Sequence, residues 1–520
     1  MRNKQLRPAM GLILITIIAM VAIDLACARS VPSGKAPSWQ LPDFSGISLT
    51  PSPTAFSFLP PTRIPGAPIL SPTPDSPHQL PAMRLEPERY VVQPGDTLGI
   101  IAQNYSLSVE QIMKANNLTN PDILDVGQKL IIPVPTPESL GPDFKIIPDS
   151  ELVYGPVSAY FDVDGFVKAQ GGYLLGYREK IDDQKYSGVE LINLTARNYS
   201  INPRLLLALL EYQSQWVTKT NPDKNTLDYP LGWRDPQRKG LYRQLAWAAN
   251  NLNRGYYLWR VDGVATWVLR DGRVVPIAAT INAGTAGIQY FYSQLLNYDD
   301  WRTAISPAGL FAAYTRLFGY PFDLAFEPLL PPGLQQPAMQ LPFEPGVKWT
   351  FTGGPHGGWD NGSAWAALDF APGNEALGCV QSDKWVVAIA NGLITRSEDG
   401  IVMQDVDDPN GLPSDGLEQT GWLILYMHVE DRDRIKAGVY LKAGERIGHP
   451  SCEGGISTGT HVHIARRYNG EWIPADQSIP FVLDGWISVG TGSEYEGYLE
   501  KNNQKVEAEA GNSTKNIITR

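Results

Sequence analysis

The stretch Gly455-Ile-Ser-Thr-Gly-Thr-His-Val-His-Ile464 decides how the C-terminal part of the chain is read. His461 and His463 stand two apart around a β-branched valine. On a strand both imidazoles face one side of the sheet and Val462 faces the other. Three upstream segments carry matching chemistry: Thr352-Gly-Gly-Pro-His-Gly-Gly358, Ala367-Leu-Asp-Phe-Ala-Pro372 and Leu425-Tyr-Met-His-Val429. Between them Trp385–Ala390, Leu393–Arg396, Ile401–Met403 and Trp422–Tyr426 are apolar or alternating runs separated by Gly-rich turns, which predicts an antiparallel β core. Two imidazoles and one carboxylate make a catalytic zinc set with one position left for water. An antiparallel all-β domain is therefore expected over 346–490, behind a Pro-rich linker at 327–345.

The histidine count supports this centre of gravity. Only six occur in 520 residues, and five of them lie between 356 and 463. The length implies several domains, since single cores stop growing near ~250 residues. A formal charge of −11 and a pI of about 5.2, with no Lys/Arg cluster, exclude a nucleic-acid groove. A mean hydropathy of −0.20 excludes a polytopic membrane protein.

At the N-terminus Arg2, Lys4 and Arg7 precede an almost unbroken apolar run, Ala9–Ile23. About 15 apolar residues suit the core of a signal peptide better than a full membrane span. Leu25-Ala26-Cys27 resembles a bacterial lipobox, although Asp24 stands where that pattern prefers leucine. Residues 1–30 are thus an export segment, with three outcomes open: lipidation at Cys27, cleavage without lipid, or an uncleaved anchor. All three place the chain outside the cytoplasm. Residues 31–88, rich in Pro, Ser and Thr, read as a semi-extended linker.

Residues 89–134 have a strand–helix–helix–strand rhythm. Tyr90-Val-Val reads as strand, Thr97 can start a helix, and Ser108 followed by Gln111 is a capping box. The segment resembles a LysM domain. That resemblance implies binding of N-acetylglucosamine glycan through two loops, here Gly95, Asp96, Thr97 and Leu98, and Pro121, Asp122, Ile123 and Leu124.

The middle region, 150–326, is predicted to be mainly helical. Asn202 and Pro203 open a buried Leu-rich helix to Ser214, Leu241–Trp259 forms an amphipathic one, and Gly263–Val275 a hairpin. Pro203-Arg-Leu-Leu-Leu-Ala208 and Asn282-Ala-Gly284 resemble pieces of lysozyme-like lytic transglycosylases. Gln213-Ser214 stands where that family has Glu-Ser, so its general acid is missing. Glu211 points away from that face. A degenerate lysozyme-like domain is the expectation.

The histidine-rich part resembles the M23 metallopeptidases, the lysostaphin-type and β-lytic endopeptidases of bacterial walls. Most members place His four residues before Asp, and Trp365 stands there. The β-lytic branch uses thirteen, the spacing from His356 to Asp369, within a Gly-rich loop. The resemblance implies zinc on His356, Asp369 and His463, with His461 and His428 catalytic. His449 has no matching role and is expected to be structural or at the surface, and Tyr426 and Arg466 are expected to pack or be solvated. Cys379 and Cys452 can form a disulfide in an oxidising exterior. The tail, 493–520, is expected to be disordered. The implied activity is hydrolysis of peptide stems or cross-links of peptidoglycan. The alternative is a non-catalytic LysM/M23-like activator of wall amidases, or a glycan-binding wall protein.

Overall fold

The computed structural model describes residues 76–520, apart from Pro94, Gly95, Asp182, 409–412 and Asn512. The export segment with Cys27, most of the linker, and Gly95 of the first glycan loop lie outside the described residues.

The LysM-like module pairs strand Glu88–Val91 antiparallel with Lys129–Ile132, and helices Leu98–Asn104 and Val109–Asn116 lie between them. Thr97 caps the first helix through the N–H of Ile100. Ser108 and Gln111 cap the second reciprocally, as their spacing predicts. Leu98, Ile101, Ile112 and Leu130 form the core, so Leu98 is a packing residue. Asp96 ties its loop by accepting from Tyr90 Oη at 2.8 Å and Gln93 N at 2.7 Å. Thr97, Pro121, Asp122 and Ile123 are exposed, and Leu124 is half-buried.

The described end of the linker is not a free tether. His78 Nδ1 meets Asp262 Oδ1 at 2.8 Å, and its ring lies 4.5 Å from that of Trp259. Arg84 donates to the carbonyls of Ile132 and Pro133. Hydrogen bonds to specific partners, rather than composition, decide this segment.

Long helices dominate the middle region: Gly188–Tyr199, Pro203–Ser214, Leu241–Arg260 and Ala283–Leu295. The expected hairpin is Thr266–Val268 with Val274–Pro276. Asn202 caps the Leu-rich helix, accepting from Arg204 N at 2.9 Å. Glu211 is buried and accepts from Thr218 N, Thr218 Oγ1 and Arg316, which makes it a structural anchor.

The C-terminal domain is built around a nine-stranded sheet. Along its main path lie Tyr440–Leu441, Gly392–Glu398, Ile401–Val406, Trp422–Met427, Val462–Tyr468, Ala367–Pro372, Lys348–His356 and Ile517–Thr519, with Glu471–Trp472 paired beside Val462–Tyr468. These pairings are antiparallel, and alternation divides the side chains between two cores. Val402, Ile424, Tyr426, Ile464 and Phe370 face one core within the β domain. Ile401, Met403, Leu423, Leu425 and Ala465 face the other, which is continuous with the helical body.

Two sequence expectations need correction. The run 327–345 is not a linker: Leu329, Met339, Leu341 and Phe343 are buried, and Phe343 stacks on Trp349 at 5.2 Å. Apolar side chains between the prolines strap it to the sheet. The tail is not disordered either. Gly497–Lys501 and Gln504–Glu507 form a hairpin around Asn502 and Asn503, both at positive φ, which matches the twist of the flanking strands. Leu499 and Val506 anchor it in the β core, and Ile517–Thr519 pairs with the edge of the sheet.

Candidate metal centre

The register places Ile401, Met427, His463 and Asp369 in one row across four neighbouring strands, with Gly353 opposite Asp369. His356 comes from the end of the next strand, beyond two register shifts that the Gly-rich sequence allows. The row brings the predicted ligands together. His356 Nε2 lies 2.9 Å from His463 Nδ1, and Asp369 Oδ1 lies 3.3 and 3.2 Å from those nitrogens. Among the described residues this is the one His/Asp group whose ligand atoms converge closely enough to hold a metal.

Backbone carbonyls set the tautomers. His356 Nδ1 donates to Gly354 O at 2.8 Å and His463 Nε2 to Gly358 O at 3.2 Å, so the facing nitrogens keep their lone pairs. Asp369 Oδ1 is buried and meets those two nitrogens, neither of which then has a proton to give. Three lone-pair atoms so close repel one another unless a cation or proton sits between them. A tetrahedral ion with ligands at about 2.0–2.1 Å spaces them by roughly 3.3 Å. The donors therefore fit a divalent cation.

His461 and His428 complete the cluster. His461 Nδ1 lies 2.8 Å from Gly459 O, and its Nε2 lies 3.7 Å from Asp369 Oδ2. His428 Nδ1 lies 2.9 Å from Glu453 O, and its ring is 4.4 Å from that of His461. Donation to these carbonyls leaves Nε2 as the proton-accepting atom of each. His428 occupies the left-handed region at φ 66°, held by donation from Ser451 N to its carbonyl. Burial, with His461 and His463 nearby, pushes its pKa down to about 3. Burial would raise the Asp369 carboxyl, but His356 and His461 hold it well below the usual range.

Cys379 and Cys452 form a disulfide, and Thr460 N donates to Gly378 O, so the loop before His461 is stitched to the loop carrying Cys379. His449 is buried against Trp385 and donates to Lys384 O, a packing role. Tyr426 donates to Gln404 within the core, and buried Arg466 lies over Trp422 and Phe481. The residue missed from sequence is Tyr495, whose ring stacks on His356 at 4.3 Å. Its N–H donates to Pro355 O and its carbonyl accepts from Gly354 N, bracing the first ligand. Nothing local in Ser493-Glu-Tyr-Glu496 marks such a contact. The only usable signal is the Asn-Asn turn that follows it.

Two outcomes are expected here. A Cβ on Gly353 would stand 2.8 Å from Asp369 Oδ2 and 3.1 Å from its Cβ and Cγ. Gly353→Ala should displace the carboxylate and weaken metal binding about 10–100-fold, the range for outer-shell disruption. Competition against a chelator measures this, and unchanged affinity would refute it. The second concerns pH. Burial lowers the His356 pKa, but Asp369 more than offsets it, so the net value lies above 6.5. Below that pKa the metal-free ring carries a second proton, on the nitrogen facing the site, that binding must displace. Affinity should be level in alkali and fall roughly tenfold per pH unit once below that pKa, starting above pH 6.5. Affinity that is flat between about pH 5 and 9 would contradict this.

Residues 90–133 match the LysM domain model, and 145–331 match the model described as LasA, N-terminal domain. Protease LasA of Pseudomonas aeruginosa is 25% identical over 357 residues, covering 62% of this chain and 74% of the relative. The β-lytic metalloendopeptidase of Achromobacter lyticus is 27% identical over 179 residues, covering 32% of this chain and 43% of the relative. The chain is an M23-type peptidase with a LysM domain. A solved structure described as the novel M23 metalloprotease pseudoalterin from the deep sea is 24% identical, at a TM-score of 0.27, covering 35% of this chain and 98% of that one. The helical body of the peptidase thus has its match in the LasA N-terminal model. Its packing covers Ile401 and Met427, the floor beside His463 in the ligand row.

Proposed function

We propose that this peptidase uses zinc to hydrolyse peptide bonds in the stems or cross-links of bacterial peptidoglycan. The LysM domain holds the N-acetylglucosamine glycan. The observation carrying the proposal is the convergence of His356 Nε2, Asp369 Oδ1 and His463 Nδ1 within 2.9–3.3 Å. When bound, zinc supplies Lewis acidity to the scissile carbonyl and lowers the pKa of water. His461 and His428 each present Nε2 as an acceptor, and with the pKa of His428 pushed down to about 3 by burial, His461 takes the proton from the attacking water and delivers it to the leaving amine. While it holds that proton, the imidazolium stabilises the developing oxyanion. Asp369 holds His356 and His463 in place and offsets the charge of the ion. A complete ligand set argues against a non-catalytic activator, for which ligation has no use. The disulfide and the LysM domain favour an extracytoplasmic site of action. No helix among the described residues is long and apolar enough to cross a membrane.

The test is digestion of purified peptidoglycan by the full chain, with metal content and new amino termini measured together. One zinc per chain and amino termini that disappear with chelator are expected. A metal-free chain that yields no new termini would overturn the reading.

A further inference from the structure

His463 Nε2 meets the backbone carbonyl Gly358 O at 3.2 Å, and the loop carrying that carbonyl is held in part from outside the β domain. The loop, 357–366, joins the strand of His356 to the strand of Asp369. Internally it is closed by Gly358 N to Ala364 O at 3.0 Å and Trp359 N to Ser363 Oγ at 2.9 Å. Its tip reaches the helix Leu241–Arg260 of the helical body. There Asn250 makes a two-point clamp: its Nδ2 donates to Asn361 Oδ1 at 2.7 Å, and its Oδ1 accepts from Gly362 N at 2.7 Å. Tyr199 Oη donates to Asp360 Oδ2 at 3.3 Å, and its ring lies edge-on to Trp359. The approach is close, since a Cβ on Gly362 would stand 2.0 Å from the carbonyl oxygen of Asn250. Asp360 takes a positive φ of 56°, which an unclamped loop would be free to relax.

We infer that Asn250 is a positioning residue of the metal centre, acting through the 357–366 loop and the Gly358 carbonyl on His463. The inference rests on the proposed ligation by His356, Asp369 and His463. The helical body is then a working part of the site, because it sets where the acceptor for His463 Nε2–H stands. Fixing that acceptor fixes the ring angle and the tautomer that turns Nδ1 toward Asp369. An amide suits the task, since one side chain both donates to and accepts from a loop that has no strand partner.

Zinc affinity of the full chain by chelator competition is the test, on wild type, Asn250→Ala, Gly362→Ala, Asn251→Ala and His463→Ala. Asn251 is the control: it lies on the same helix, and its Nδ2 bonds the Trp247 carbonyl and not the loop. Asn250→Ala and Gly362→Ala should weaken zinc about tenfold or more, within the outer-shell range. Asn251→Ala should leave affinity within about twofold, with similar thermal stability of the metal-free chains of both asparagine variants. Asn250→Ala matching wild type while His463→Ala loses zinc would overturn this inference and leave the proposed ligand set standing. Equal loss in the Asn251 control would also overturn it, since the effect would then be general destabilisation. If wild type binds no zinc, the ligand reading itself fails.

Discussion

Replacing His463 by alanine should abolish stoichiometric metal binding and lower peptidoglycan hydrolysis by about a thousandfold or more. A metal supplies several kcal/mol of charge stabilisation to such a reaction, and each ~1.36 kcal/mol is a factor of ten in rate. The fold should survive the change. Val462 and Ile464 on the same strand are fully buried in the β core, while the imidazole points to the other face. The metal-free variant should therefore melt close to the metal-free wild type. Circular dichroism melting with chelator present, beside metal analysis, separates the two effects. Wild-type hydrolysis rates in a variant that holds no metal would refute the assigned role.

Trp472→Ala should be among the most destabilising single changes, costing about 3–5 kcal/mol. This ring is 1% exposed and belongs to the core shared by the sheet and the helical body. The backbone N–H of Trp472 donates to Tyr257 Oη at 2.8 Å, and the ring packs so closely on Gly358 that a Cβ there would stand 2.6 Å from it. Neighbouring Glu471, buried, pairs with Arg260 at 2.9 Å. A core continuous across two regions predicts that helical and β signals are lost together. The variant should shift one transition seen equally by far-ultraviolet helix signal and by tryptophan fluorescence. Two separated transitions, or a loss below about 1 kcal/mol, would show that the bodies fold independently.

Much of the β domain was legible because its strands carry their own signal. Trp422–Met427 and Val462–Tyr468 alternate between two cores, and alternation is a local property of the backbone. The capping box at Ser108 and Gln111 and the Asn202-Pro203 start are local for the same reason: a cap needs only residues three or so apart. Prolines in 327–345 were misleading, since they exclude helix but leave Leu341 and Phe343 free to bury themselves in the β core. The tail misled through its many charges, which outnumber Leu499, Val506 and Ile518 while those three do the packing.

What the sequence by itself determined is the chemistry and its spacing. It supplied two imidazoles two residues apart, a carboxylate thirteen residues after another histidine, and alternation that aims His461 and His463 to one face. Those features depend on residue type and backbone period, which the chain carries locally. Only the tertiary structure decided which nitrogen of each ring looks inward, because that choice belongs to the carbonyls of Gly354 and Gly358. It alone brought Tyr495 onto His356 and Asn250 onto the 357–366 loop. These contacts join residues more than a hundred apart in sequence. They follow from the packing of whole elements, and no local period records them.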